Sequence, residues 1–312
     1  MDLKAFLNIL TEIIYILCGL VSISVAIRGL KNEKAKIGTF LFWFILGVIF
    51  ILGKTIPYAV TGGLLVILAL ITVTKQLQVG TFKEITHEFK VAQSEKFKNK
   101  IFLPAALIGI SAFLILQFKI GKVAIPSAVG IGGGALIALL VATAIIKPKF
   151  SETSEDTSRL LMQIGATALL PQLLAALGAV FTKAGVGKVI AQSISSVVPS
   201  GNIFIGIVIY AVGMALFTMI MGNAFAAFSV ITVGIGVPFI LKHGGNPAVI
   251  GALGMTAGYC GTLMTPMAAN FNIVPASILE IKDKNRIIKT QLPMGLAMLV
   301  IHIILMILLF KA

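Results

Sequence analysis

The chain has 312 residues, of which 58% are hydrophobic and 12% are charged, and its mean hydropathy is +1.05. A soluble domain of this length cannot cover so much apolar sequence with polar surface, so the composition excludes a water-soluble protein. The net charge of +14 comes from lysines and arginines concentrated between apolar runs. That distribution indicates contact with an anionic membrane surface and argues against nucleic acid as a partner.

The apolar sequence forms long runs without the alternation that is typical of a membrane-spanning strand. Since every backbone amide in lipid needs an internal partner, these runs predict membrane helices. Ten runs could cross a bilayer, some of them only with tilt: 5–27, 37–52, 57–74, 101–118, 124–146, 160–181, 203–221, 225–241, 248–263 and 292–310. The predicted fold is an all-α polytopic transmembrane helical bundle with about 8 to 10 spans.

The first run contains Glu12 and ends at Arg28 without a small-residue cleavage pattern, so it predicts a retained membrane helix. Cys18 and Cys260 lie in apolar runs far apart in sequence. A small buried apolar side chain is the usual role of such cysteines, and neither a disulfide nor a metal site is predicted.

Four basic segments lie between the runs: 28–36, 75–100, 147–159 and 281–290. All four fall on one side of the membrane if every run crosses, and the positive-inside rule places that side in the cytoplasm. This topology puts both termini outside. The segment 75–100 mixes acidic residues with its lysines, which is typical of a solvated, partly helical loop.

The two parts of the chain differ in polarity. Residues 1–159 are apolar with few interruptions and predict a scaffold of transmembrane helices. Residues 160–312 repeatedly place Gly, Pro, Asn, Gln and Thr at membrane depth, which predicts broken or re-entrant helices that form a transport site. In that part, Pro171 and Gln172 interrupt an apolar run. The stretch 185–200 predicts a re-entrant segment or an interfacial helix.

Two further stretches form the strongest pair of predicted helix breaks. The first is Gly222-Asn223-Ala224, followed by the glycine-rich run 232–238, and the second extends over residues 258–272. Gly and Pro let a helix unwind, and unwound backbone is tolerated in lipid only where it lines a polar cavity. The N-terminus of a half-helix suits a carboxylate, while carbonyl, Asn and Thr oxygens suit a sodium ion.

Other glycines and ionisable residues have simpler interpretations. The GxxxG spacings at Gly130 and Gly134, and at Gly254 and Gly258, fit close helix packing. Glu12 is either a proton-coupling carboxylate or an interfacial carboxylate that is bonded to a neighbouring helix. No set of nucleophile, base and acid is evident, so an enzyme is not predicted.

Three segments carry a resemblance to a known family: LLPQLLAALGAVFTKAGVG from Leu169, MALFTMIMGNAFAAF from Met214 and GMTAGYCGTLMTPMAANFNIVPASILE from Gly254. Together they resemble a bacterial family of 5-oxoproline (pyroglutamate) transporter subunits. The resemblance implies the larger membrane subunit of a two-component permease of the ion transporter superfamily, which works with a smaller membrane subunit. It also implies paired broken hairpins that hold substrate and coupling ion.

These features predict a subunit of a secondary active transporter for a small organic anion, 5-oxoproline, in the bacterial cytoplasmic (inner) membrane. Coupling to Na⁺ or H⁺ is expected, without any other cofactor. The alternative is a non-transporting scaffold or channel-like subunit of a larger complex. The predicted substrate-binding residues are Gly222, Asn223, Ala224, Gly261, Thr262, Thr265, Pro266, Asn270, Asn272 and Gln172. The predicted ion-coupling residues are Asn223, Thr262 and Glu12. Because no Lys or Arg lies in this set, helix ends, backbone amides or a co-transported cation must balance the anion.

Overall fold

The computed structural model describes residues 3–82, 86–120, 123–195 and 202–311. The chain divides into two compact units, Met1–Gly165 and Ala166–Ala312. The described residues of the first unit form α1 (Leu3–Gly29), α2 (Lys36–Leu52), α3 (Tyr58–Val73), α4 (His87–Phe97), α5 (Phe102–Gln117), α6 (Ser127–Ile146) and α7 (Phe150–Ile164). A 3-10 turn covers Lys98–Ile101, and a small antiparallel pair joins β1 (Lys119–Ile120) to β2 (Val123–Ala124).

The second unit is also helical. A 3-10 turn over Gly165–Leu169 leads into it. Its helices are α8 (Leu170–Lys183), α9 (Val186–Ser195), α10 (Ile203–Met221), α11 (Ala224–Ile231), α12 (Val237–Phe239), α13 (Pro247–Thr262), α14 (Ala269–Ile278) and α15 (Arg286–Leu308). A π-helical turn, Thr232–Gly236, joins α11 to α12, and a 3-10 turn covers Leu241–His243.

Helix length and composition identify the chain as a multi-pass membrane protein. Within the described ranges, seven helical stretches are long and apolar enough to cross a bilayer, and α2 and α3 are shorter apolar helices. The predicted all-α polytopic bundle is confirmed. The segment 75–100 does contain a helix, α4, as predicted.

Small residues allow close helix packing in the first unit. A Cβ on Gly19 of α1 would lie 2.8 Å from the carbonyl oxygen of Gly47 on α2. A Cβ on Gly134 of α6 would lie 2.9 Å from the backbone nitrogen of Ala112 on α5. Gly130 faces the side chain of Leu116. The packing role predicted for Gly130 and Gly134 is therefore confirmed.

In the second unit, α10 and the segment after it form an antiparallel helical hairpin. The hydroxyls of Tyr210 and Thr232 are 2.9 Å apart, and a Cβ on Gly206 would lie 3.2 Å from the carbonyl oxygen of Phe239. The return segment holds the glycine-rich run 232–238, where the prediction places a break. The structure instead keeps this run helical as a π turn, and Gly234 packs against the backbone of Gly187 on α9.

The helices α10 and α13 run side by side in the same direction. Their contacts keep a nearly constant spacing in sequence: Tyr210 with Gly254, Met214 with Gly258, Ala215 with Gly261 and Met219 with Thr265. The GxxxG pair Gly254 and Gly258 packs as predicted. The end of α10 therefore lies level with the loop that follows α13.

Two irregular stretches that the sequence singles out have local explanations. Pro171 lies in the first turn of α8, where its missing N–H costs nothing, so it starts a helix and does not interrupt one. In the stretch 185–200, α9 packs closely on α11, because a Cβ on Gly187 would lie 2.8 Å from the carbonyl oxygen of Val230. Residues 196–200 of that stretch lie outside the described residues.

The contact between Gly261 and α10 leads to a stability prediction. A Cβ at this position would collide with the backbone of Ala215, which cannot move aside as a side chain can. We expect Gly261→Ala to lower the free energy of unfolding by about 1–3 kcal/mol, the usual cost of overpacking.

Gly251→Ala is the matched control on the same helix, since its Cβ would lie 3.8 Å from the nearest atom, Cζ of Phe228. Both variants gain the same helix propensity, so thermal unfolding in detergent isolates the contact. Equal midpoints for the two variants would contradict the predicted contact.

Candidate functional site

The breaks that follow α10 and α13 touch each other. Gly222 ends α10 with a φ of 64°, and α11 begins at Ala224. The second break comprises residues 263–268, between α13 and α14. A Cβ on Gly222 would collide with the carbonyl of Met267, so both the left-handed backbone and this contact require glycine.

Asn223 connects the first break to the helix that follows it. Its Oδ1 accepts hydrogen bonds from the backbone nitrogens of Phe225 at 2.8 Å and Ala226 at 3.4 Å, which caps α11. The Nδ2 group of Asn223 has no hydrogen-bond partner among the described residues. Asn223 therefore presents an unused N–H donor at the start of α11.

A cavity of about 170 Å³ lies where the two breaks meet. Its lining residues come from α8, from both breaks and from the helix ends beside them: Leu174, Gly222, Asn223, Ala224, Phe225, Tyr259, Thr262, Met267, Ala269, Asn270 and Phe271. A protein cavity of about 150 Å³ holds benzene. The cavity therefore suits a ligand built on one small ring.

Three aromatic side chains form part of the wall. The rings of Phe225 and Tyr259 lie 6.0 Å apart and nearly perpendicular, at 89°. The rings of Tyr259 and Phe271 lie 6.4 Å apart at 66°. Edge-to-face packing of this kind fixes ring positions and exposes partly positive ring edges. Tyr259 lines the cavity, and its hydroxyl has no hydrogen-bond partner among the described residues.

The lining combines apolar side chains with four polar ones, Asn223, Tyr259, Thr262 and Asn270, and it contains no Lys, Arg, His, Asp or Glu among the described residues. Helices α11 and α14 both begin at the cavity, and the first N–H groups of a helix carry partial positive charge. The side-chain amides of Asn223 and Asn270 add donors. This arrangement favours a small ligand rich in hydrogen-bond acceptors, such as a monovalent anion.

The contacts of α15 place the cavity within the length of a membrane-spanning helix. A Cβ on Gly295 would lie 3.2 Å from Cγ of Met264 and 3.3 Å from the carbonyl oxygen of Cys260, beside the cavity residues of α13. At 1.5 Å per residue, Gly295 lies about 13 Å from Arg286 and about 20 Å from Leu308 along α15. The cavity is thus nearer the end of α15 that adjoins the basic segment 281–290.

That basic end is exposed to solvent. Asp283 accepts a hydrogen bond from Nζ of Lys289 at 2.9 Å, and this bond lowers the pKa of the Asp283 carboxyl below its ordinary value.

The structure brings together half of the predicted substrate-binding residues. Five line the cavity: Gly222, Asn223, Ala224, Thr262 and Asn270. The other five are not among the lining residues. Gly261 is a packing contact with Ala215, and Pro266 and Gln172 are exposed. Thr265 and Asn272 are buried, and their side chains bond to the protein backbone.

The predicted ion-coupling residues do not form one group. Asn223 and Thr262 line the cavity, and the hydroxyl of Thr262 donates to the carbonyl of Tyr259 at 2.6 Å. Glu12 lies on α1 in the first unit, where its carboxylate is 3.6 Å from Nζ of Lys54. This ion pair matches the interfacial interpretation of Glu12, and its role in ion coupling stays a prediction.

The aromatic wall is absent from the predicted site residues. Phe225, Tyr259 and Phe271 resemble the many aromatic residues of a membrane helix. The available signal is their position: Phe225 follows Asn223 by two residues, and Phe271 directly follows Asn270.

Comparison with known proteins identifies a family without a described activity. The family model "Protein of unknown function (DUF979)" matches residues 12–310. A search of the curated proteins finds no match to the chain. A search of the solved structures also finds none.

The cap made by Asn223 leads to a prediction that separates stability from ligand binding. Asn223→Ala removes the cap of α11 and should cost about 1 kcal/mol of stability. Asn246 caps α13 in the same way, with hydrogen bonds from Ala248 at 2.9 Å and Val249 at 3.4 Å, and it does not line the cavity.

Asn246→Ala is therefore the control. We expect the thermal unfolding midpoint to fall in both variants, whereas ligand uptake should be lost only with Asn223→Ala. Equal uptake by the two variants would exclude Asn223 from the binding site.

Proposed function

Because the chain belongs to the DUF979 family of proteins of unknown function, we propose its function from its own site. The proposed function is that of a subunit of a secondary active transporter for a small organic anion. The observation that carries this proposal is the cavity at two adjoining helix breaks, within the length of a membrane-spanning helix.

Transport accounts for the chemistry of this cavity better than catalysis does. The described lining residues supply hydrogen-bond donors and aromatic surface, and they include no pairing of a nucleophile with a base. Discontinuous helices at membrane depth are typical of transporter sites, where they replace the water around a polar solute. A ligand held without covalent chemistry can be released on the other side.

The proposed substrate is 5-oxoproline, a monocarboxylate on a five-membered lactam ring. The cavity volume of about 170 Å³ supports a molecule of this size. The starts of α11 and α14 can balance one negative charge, and the amides of Asn223 and Asn270 can pair with carboxylate and lactam oxygens. The ring would lie against Phe225, Tyr259 and Phe271.

The proposed transporter has two components, this chain and a smaller membrane subunit, in the bacterial cytoplasmic membrane. Coupling is to Na⁺ or H⁺. The described lining residues lack a carboxylate that could carry a proton, which favours Na⁺. Residues 160–312 hold the site in this proposal, and residues 1–159 act as the scaffold.

The proposal is tested by uptake of labelled 5-oxoproline into vesicles that contain this chain, alone and with the smaller subunit. We expect uptake that needs both proteins and an inward sodium gradient. Uptake that survives without sodium but stops with a protonophore would assign H⁺ as the coupling ion. No uptake under either gradient, with both proteins inserted, would remove 5-oxoproline as the substrate. Uptake by the partner alone would identify this chain as a scaffold.

Asn270 supplies the sharpest prediction for the substrate contact. Its side-chain amide has no hydrogen-bond partner among the described residues and lines the cavity. A hydrogen bond to a charged group contributes about 1.5–3 kcal/mol, so Asn270→Ala should raise the KM for uptake roughly tenfold or more.

Asn285→Ala is the control, since Asn285 is exposed and precedes α15 outside the cavity. Its KM should equal that of the parent. An unchanged KM for Asn270→Ala would show that Asn270 does not contact substrate.

A further inference from the structure

We infer that Thr265 and Asn272 are positioning residues that join the two helix breaks and thereby hold Asn223 and Asn270 in place. Neither residue is among the lining residues of the cavity. The inference rests on the proposed function for its meaning in transport, but its geometric part stands on hydrogen bonds within the second unit.

Asn272 connects three parts of the second break. Its side chain is fully buried, and its Nδ2 group donates to the carbonyl oxygens of Thr262 at 2.8 Å and Thr265 at 2.7 Å. These two acceptors determine the orientation of the amide, because a flipped amide would set its oxygen against both of them. One side chain on α14 therefore binds the end of α13 and the loop that follows it.

Thr265 connects the second break to the first. Its hydroxyl donates to the carbonyl oxygen of Met219 at 2.8 Å, in the last turn of α10. Helical donors run out at the end of α10, so this bond satisfies a carbonyl that lipid would leave unpaired. The same hydroxyl accepts from the backbone nitrogen of Met267 at 3.2 Å. Met267 is the residue whose carbonyl faces Gly222.

Only a few residues separate Asn223 and Asn270 from the residues that these hydrogen bonds hold, so the restraint extends to the cavity. Asn223 follows Met219 by four residues, and Asn270 precedes Asn272 by two. If the Thr265 bond is lost, the end of α10 and the start of α14 are no longer held together by this route. The amides of Asn223 and Asn270 would then sample a range of separations, and a small ligand could not contact both.

The hydrogen-bond network also leaves one buried acceptor unpaired, and this energetic cost is consistent with a positioning role. Oδ1 of Asn272 is buried and has no hydrogen-bond partner among the described residues. An apolar side chain would avoid this unpaired acceptor but would leave the carbonyls of Thr262 and Thr265 without their donor.

The test measures the separation of α10 and α14 directly. Spin labels at Ile220→Cys and Ile278→Cys would report it, because both residues are exposed, at 59% and 40%, and neither lines the cavity. The full chain would also carry Cys18→Ala and Cys260→Ala, so that only these two positions react. Thr265→Val removes the hydroxyl at nearly constant volume, and Thr265→Ser keeps it.

We expect a narrow distance distribution in the parent and in Thr265→Ser, and a distribution at least twice as wide in Thr265→Val. Thr256→Val is the control, since among the described residues the hydroxyl of Thr256 bonds only within α13, to Ala252 and Leu253. Its distribution should match that of the parent. An unchanged width in folded Thr265→Val would overturn the inference. If that variant does not fold, Thr265→Ala removes the same hydroxyl without added bulk and has the same two outcomes.

Uptake measurements separate this inference from the proposed function. If both are right, Thr265→Val raises the KM at least fivefold and Thr265→Ser restores the parent value. A widened distribution in a protein that transports no carboxylate would support the restraint and remove the function. Normal uptake with a widened distribution would show that the restraint does not position the substrate contacts.

Discussion

A backbone N–H or C=O that meets lipid without a partner is costly, and this cost governs where the chain can interrupt a helix. At the breaks after α10 and α13, several groups that lose their helical partners bind a nearby side chain. Asn223 caps the start of α11, Asn272 binds the carbonyls at the end of α13, and Thr265 binds a carbonyl at the end of α10. The remaining donors line the cavity.

Glycine packing brings the two breaks to the same level. Because Gly254, Gly258 and Gly261 have no side chains, α10 approaches α13 closely along one direction. The breaks then meet at Gly222 and Met267. Without this register, each break would be an isolated interruption with no enclosed volume between them. Helix packing and the existence of the cavity therefore depend on the same small residues.

The electrostatics of the site follow from its position. A lysine or arginine at this depth would need a partner or a route to water. The lining instead uses amides and the starts of two helices, which supply partial positive charge without a titratable group. A single negative charge can be balanced in this way. This explains how an anion site could exist where the sequence offers no basic residue.

Composition and hydropathy were sufficient to determine the all-α membrane class, because the apolar runs leave no other way to satisfy the backbone in lipid. The sequence also located the break at Gly222 and Asn223 and five of the eleven residues that line the cavity. The sequence could not assign the roles of Thr265 and Asn272. An amide or hydroxyl at membrane depth gives the same sequence pattern whether it binds a ligand or a backbone carbonyl. Only the tertiary structure decided that, since the partners come from residues that packing brings together. The same reason applies to the glycines at 232–238, which remained helical because α9 and α10 pack against them.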